Sequence, residues 1–168
     1  MKTIFLFIIF FCSTSIFSQN LDQLSCQLYA CSLKQREYSK EKHLMVTFDY
    51  EMSSSLKESL LASGFFNKEE KTILDNTLSR QLRPTVCKVV KDILIDKRTI
   101  NVKGDLEGYL HLSYSVPIQI NQQMAYLIVG VDRIRKNRVG SVGAVIIETF
   151  KKDADSWVFI DSKILESY

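Results

Sequence analysis

The sequence predicts an α+β fold: helices come first, and an antiparallel meander of about four or more strands follows and is covered by them. Three observations carry that expectation. Between Leu21 and Gln81 the apolar residues recur mostly at helical spacings of three and four. From Tyr109 onward they alternate, or run on for a few residues at a time, as strands do. The connections in that second half are short and polar, which suits hairpins rather than βαβ units. Composition agrees. With 46% hydrophobic and 24% charged residues, six Gly and two Pro, collagen-like, low-complexity and wholly disordered chains are excluded.

The N-terminus reads as an address. Lys2 supplies a positive charge, Ile4 to Phe11 is unbroken apolar sequence, and Cys12 to Ser18 is a short segment of mostly small residues. That order describes a secretory signal peptide over residues 1–18, cleaved after Ser18, with residues 19–168 as one α+β domain. The apolar run is far shorter than the roughly 20 residues of a spanning helix, and no later stretch would cross a membrane after cleavage. Phe11 stands where a lipoprotein signal has a small residue before its Cys, so lipidation of Cys12 is not expected. The protein is therefore expected in the periplasm or outside the cell. Of 22 Lys and Arg against 19 Asp and Glu, the leader removes only Lys2. The near-neutral remainder offers no domain-wide field for nucleic acid.

Leu21, Leu24, Leu28 and Cys31, with Tyr29 beside them, mark one face of a helix over about residues 21–37, and Gln23, Ser25, Gln27 and Lys34 fall elsewhere. His43 to Tyr50 alternates, placing Leu44, Val46, Phe48 and Tyr50 on one side of a strand. Ser53 to Ala62 is a short helix with a serine cap and Gly64 as its stop. Asn67 and Glu70 have the spacing of a capping box, with Phe66 in the position of a hydrophobic staple. The helix they begin is expected to run to about Gln81, burying Ile73, Leu74 and Leu78, and to stop before Pro84. Residues 86–95 fit helix by spacing and strand by their β-branched content, and both readings stay open. Tyr109 to Ile118 alternates up to Pro117. Met124 to Val131, Val139 to Phe150 and Trp157 to Ile160 supply the remaining strands.

Several of these residues resemble a family of small exported proteins from Bacteroidetes-type bacteria whose function is not established. The matching features are Ser115, Pro117 and Ile118, then Ala125 and Tyr126, Gly140 and Gly143, Trp157 after a charged turn, and the helix around Glu69, Glu70 and Leu74. They span about residues 65–160. Relatives carry cysteines near the Gly-rich strand, and this chain has none there. The resemblance implies an exported or envelope protein built on a sheet, and it brings no catalytic residues.

Motifs for chemistry are scarce. His43 and His111 are the two histidines, and the chain has no His pair at i, i+4, no CxxC and no nucleophile elbow, so neither a catalytic set nor a metal or cofactor site is predicted. Gly140 and Gly143 are followed by a strand rather than the helix that a phosphate loop requires. Asp153 and Asp155 read as a solvated turn. Cys87 lies among valines, where burial would keep a thiol unreactive.

Once the leader is gone, Cys26, Cys31 and Cys87 remain, enough for at most one bridge. Five positions along a helix separate Cα atoms by about 8.6 Å, beyond the roughly 7 Å a disulfide tolerates. Either the helix breaks between Cys26 and Cys31, or one of them pairs with Cys87, or none pairs. Arg133, Arg135, Lys136 and Arg138 concentrate cations in one hairpin, which would suit an anionic partner such as lipid head groups, a polysaccharide or an acidic protein. A solvated turn whose charges block edge pairing is the favoured reading of the four.

The expectation is thus an exported, non-enzymatic binding or envelope-associated module with an unknown protein or envelope component as partner. The alternatives are a small hydrolase with a site assembled from distant residues, or an inhibitor or immunity-type protein.

Overall fold

The computed structural model describes residues 21–35, 44–48, 50–79, 90, 109–134 and 141–168. Helix α1 covers residues 21–35. Strand β1 (Leu44–Thr47), helices α2 (Ser54–Ala62) and α3 (Lys68–Leu78), and strands β2 (Tyr109–Tyr114), β3 (Ile118–Gln119), β4 (Met124–Ile134), β5 (Ser141–Asp153) and β6 (Ser156–Ser167) follow. The strands form one sheet in the order β1-β2-β4-β5-β6, with β3 on β4 beyond the end of β2. The expected α+β class holds, and every pairing is antiparallel except β1 with β2, which is parallel. The meander is therefore β2 to β6, with β1 added at its edge by a crossover.

Both faces of the sheet are covered, and β4 explains how. Its Ala125, Leu127 and Val129 join one core with Leu24, Leu28, Tyr29 and Leu33 of α1. Its Tyr126 and Ile128 join a second core with Leu56 and Leu60 of α2, Phe66, and Leu74 of α3. Successive residues of a strand point to opposite faces, so a strand buried on both sides must be apolar throughout.

In α1 the buried face is wider than the leucine stripe. Ser25 and Ser32 are fully buried, contrary to the placing of Ser25 away from that face. The Ser25 hydroxyl donates to the Leu21 carbonyl at 2.7 Å, and Ser32 shares a hydrogen bond with the Tyr114 hydroxyl at 3.0 Å. Satisfied locally or by a partner, a serine can be buried at little cost. Residues 36 and 37 lie outside the described residues.

The capping box is present as expected: the Asn67 side chain accepts from the Glu70 amide at 2.9 Å, and Glu70 Oε2 accepts from the Asn67 amide at 2.9 Å. The staple does not form. Its second position is Lys71, and Phe66 packs instead edge-on against Tyr126, with centroids 5.2 Å apart. Ser53 caps α2 by accepting from the Leu56 amide at 3.3 Å. Leu74 of α3 is fully buried, Ile73 and Leu78 partly so, and residues 80–89, with Pro84, lie outside the described residues. Of residues 86–95 only Val90 is described, helical and fully buried in the first core.

Other strand boundaries moved. The first strand ends at Thr47 and the chain bends at Phe48, so Leu44, Val46 and Phe48 face the first core while Tyr50 reaches the second. Tyr109 to Ile118 is interrupted at Ser115. There the Ser115 amide donates to the Ile128 carbonyl at 2.9 Å, and its hydroxyl accepts from the Ile128 amide at 3.0 Å. A side-chain oxygen thus takes the ladder position of a carbonyl, while the Ser115 carbonyl accepts from the Tyr29 hydroxyl at 2.9 Å. The last strand extends well past Ile160, to Ser167.

Asp153 pairs with Ser156, so Ala154 and Asp155 make a two-residue loop, and Ala154 has φ of 51°. A Cβ is disfavoured there. Ala154→Gly is expected to raise stability by about 0.5–1 kcal/mol, read as a later denaturant midpoint with unchanged slope.

Candidate functional site

The face that carries α2 and α3 continues past them toward one end of the sheet, and there its side chains turn polar. Register alone assembles the group. His111 on β2 is opposite Asp132 on β4, and Asp132 is opposite Gly143 on β5. Gly143 exchanges both backbone hydrogen bonds with Tyr168, at 2.9 and 3.0 Å. One step along, Thr47 on β1 is opposite Ser113, which is opposite Gly130.

Two glycines make the surface flat enough for aromatic rings. A Cβ on Gly143 would fall 2.6 and 2.7 Å from atoms of the Tyr168 ring, and one on Gly130 would stand 3.1 Å from the Tyr50 ring. Both tyrosines therefore lie directly on backbone. The Tyr168 hydroxyl donates to Asp132 Oδ1 at 2.6 Å. The other carboxylate oxygen, Oδ2, is 3.8 Å from His111 Nδ1, and His111 Nε2 lies 3.2 Å from the Thr47 hydroxyl. Thr47, His111, Asp132 and Tyr168 thus form a row across neighbouring strands.

Two tyrosines at this end of the sheet hold their protons unusually tightly. Its hydrogen bond to Asp132, then burial and nearby carboxylates, push the Tyr168 phenol up to about 12. Burial first, then Glu166 and Asp132, push Tyr50 up to about 12. An unfolded chain loses these protons near pH 10, whereas the folded chain holds them. Between pH 10 and 12 the native state then binds more protons, so stability should fall with rising pH; the contribution is whole below pH 10 and lost above 12. Ultraviolet titration of tyrosinate against thermal midpoints measures both, and Asp132→Asn should bring one late tyrosine back toward its ordinary range.

The other candidates are dispersed. Cys26 is disulfide-bonded, with a partner outside the described residues, and Cys31 is a free thiol. The two are therefore not joined, and the helix runs unbroken through both. Cys87 and His43 lie outside the described residues. Burial chiefly, with the Glu148 charge adding to it, pushes the Cys31 thiol up and disfavours the reactive thiolate. Glu148 is fully buried on β5 among residues of the first core, a position sequence reasoning missed, although a lone Glu inside the run Val142 to Phe150 was the available signal. Arg133 sits within β4 rather than in the loop, exposed, and Arg135, Lys136, Arg138 and Gly140 lie outside the described residues. Asp153 and Asp155 are exposed at the β5–β6 turn. Among the described residues no group of three or more His, Cys, Asp or Glu is placed to hold a metal, and no helix is long and apolar enough to cross a membrane.

No family model, curated protein or solved structure matches this chain.

Proposed function

We propose that the chain is an exported, non-enzymatic binding module, related to the small exported Bacteroidetes-type family, that engages a periplasmic or extracellular partner through the Tyr50–His111–Asp132–Tyr168 end of its sheet. The division of Asp132 carries this reading. Its short bond goes to the Tyr168 hydroxyl at 2.6 Å, while His111 stands 3.8 Å away. In a catalytic triad the carboxylate orients the imidazole. Here it fixes the side chain of Tyr168, a residue 56% exposed, as a contact surface requires. Export is supported by the leader and by the bonded state of Cys26, since disulfides persist in oxidising compartments.

Mass spectrometry of the chain from host fractions tests the address: a first residue of Gln19 in the envelope or medium supports it, and cytosolic chain retaining Met1 to Ser18 overturns it. Affinity capture from envelope extract tests the surface. A partner held by the native chain should be lost with Tyr168→Ala or Asp132→Ala, and equal capture by both would remove the patch from consideration.

A hydrolase is favoured by one observation, the Thr47 hydroxyl 3.2 Å from His111 Nε2 with a carboxylate beyond the opposite ring nitrogen. Hydrolysis of a chromogenic acetyl ester that disappears in Thr47→Ala would replace the binding reading.

A further inference from the structure

We propose that β6 is a self-association edge, through which two copies of this chain pair antiparallel about a two-fold axis at Ser162. Among the described residues β6 ends the sheet, and no strand lies beyond it. Two exposed isoleucines stand on it, Ile160 at 54% and Ile164 at 65%. Between them the sequence is Asp161-Ser162-Lys163, a pattern that becomes its own complement when the chain direction is reversed.

Backbone alternation supplies the donors and acceptors. Gly143 and Tyr168 exchange both hydrogen bonds, and bonded and non-bonded pairs alternate from there along β5. Ile147 with Lys163 and Thr149 with Asp161 are then bonded pairs, whereas Ile146 with Ile164 and Glu148 with Ser162 are not. The peptide groups of Ser162 and Ile164 consequently point away from the sheet. In agreement, the Ser162 amide donates to the carboxylate of Asp161 at 2.7 Å rather than to β5.

Charge then selects the register. Centred on Ser162, antiparallel pairing sets Asp161 against Lys163 of the second copy twice over. Moving the centre by one residue faces Asp161 with its own counterpart, or Lys163 with its own counterpart. Opposite charges directly across a ladder stabilise it and like charges destabilise it. A two-fold interface needs this self-complementarity. The register shifts at Val145/Ile146 and Thr149/Phe150 limit the regular stretch of β6 to Asp161–Ile164, which holds both charged residues and leaves Ile160 at the irregularity. In the single chain, Asp161 occupies the edge amide of Ser162. On pairing it transfers to Lys163 of the second copy, whose ammonium lies 5.1 Å over the Phe65 ring of its own chain.

Sedimentation equilibrium of the purified chain over rising concentration is the test, with thermal midpoints as a folding control. The native chain should approach twice its own mass. Lys163→Glu and Asp161→Lys, each placing like charges opposite, should each weaken the dimer about tenfold or more. The double variant Asp161→Lys/Lys163→Asp is complementary again and should recover dimerisation. A native chain that stays at single-chain mass throughout, single variants that dimerise like it, or a double variant that fails to recover while remaining folded, would each overturn the proposal.

Discussion

Tyr29→Ala is expected to remove about 3–5 kcal/mol of stability, a large part of what a domain of this size holds. The ring is fully buried and lies 4.8 Å from the centroid of Phe48 and 5.3 Å from that of Tyr114, so truncation leaves a void that two other rings must line. Its hydroxyl also donates to the Ser115 carbonyl, which has left the strand ladder at that point. Tyr29→Phe separates the two contributions: the packing survives, a buried acceptor loses its donor, and about 1–3 kcal/mol should go. Chemical denaturation of the three proteins measures both. Equal losses for Ala and Phe would assign the effect to the hydroxyl alone, and no loss for Ala would place α1 off the sheet.

Trp157→Ala is expected to cost a further class of about 3–5 kcal/mol at the opposite side of the same core. Trp157 opens β6 opposite Lys152, directly after the two-residue loop, and is only 8% exposed. It closes the core near Phe150 and Phe159, whose rings meet nearly perpendicular at 5.9 Å. Losing it opens the end of the hairpin as well as a cavity, so native tryptophan fluorescence and the thermal midpoint should change together in the parent, and the variant should unfold well below it. An unchanged midpoint would put the ring outside the core.

Legibility followed distance along the chain. The Asn67–Glu70 box was readable because both halves of it lie within four residues, and the β4 run was readable as strand because burial on either face leaves it uniformly apolar. The parallel pairing of β1 with β2 was not, because nothing in Leu44 to Thr47 records a neighbour at Leu110 to Ser113. The burial of Ser32 was not readable either, because the hydroxyl it pairs with belongs to Tyr114. The polar row was hidden for the same reason: Thr47, His111, Asp132 and Tyr168 meet only through the register of the sheet. His111 was read alone, and alone it carries no function.

The Tyr29 and Ser32 bonds reach 86 and 82 residues forward. A segment made early is thus bound by one made late, and α1 has nothing to settle on until β2 and β4 have zipped together. Loop closure of that span sets an entropic barrier that local helix formation does not relieve. Folding kinetics should therefore show α1 as the last piece to lock in, with φ-values near zero at Tyr29 and clearly higher at Leu127. In the interval before it locks, the greasy side of that helix is on offer to any chaperone that meets the chain.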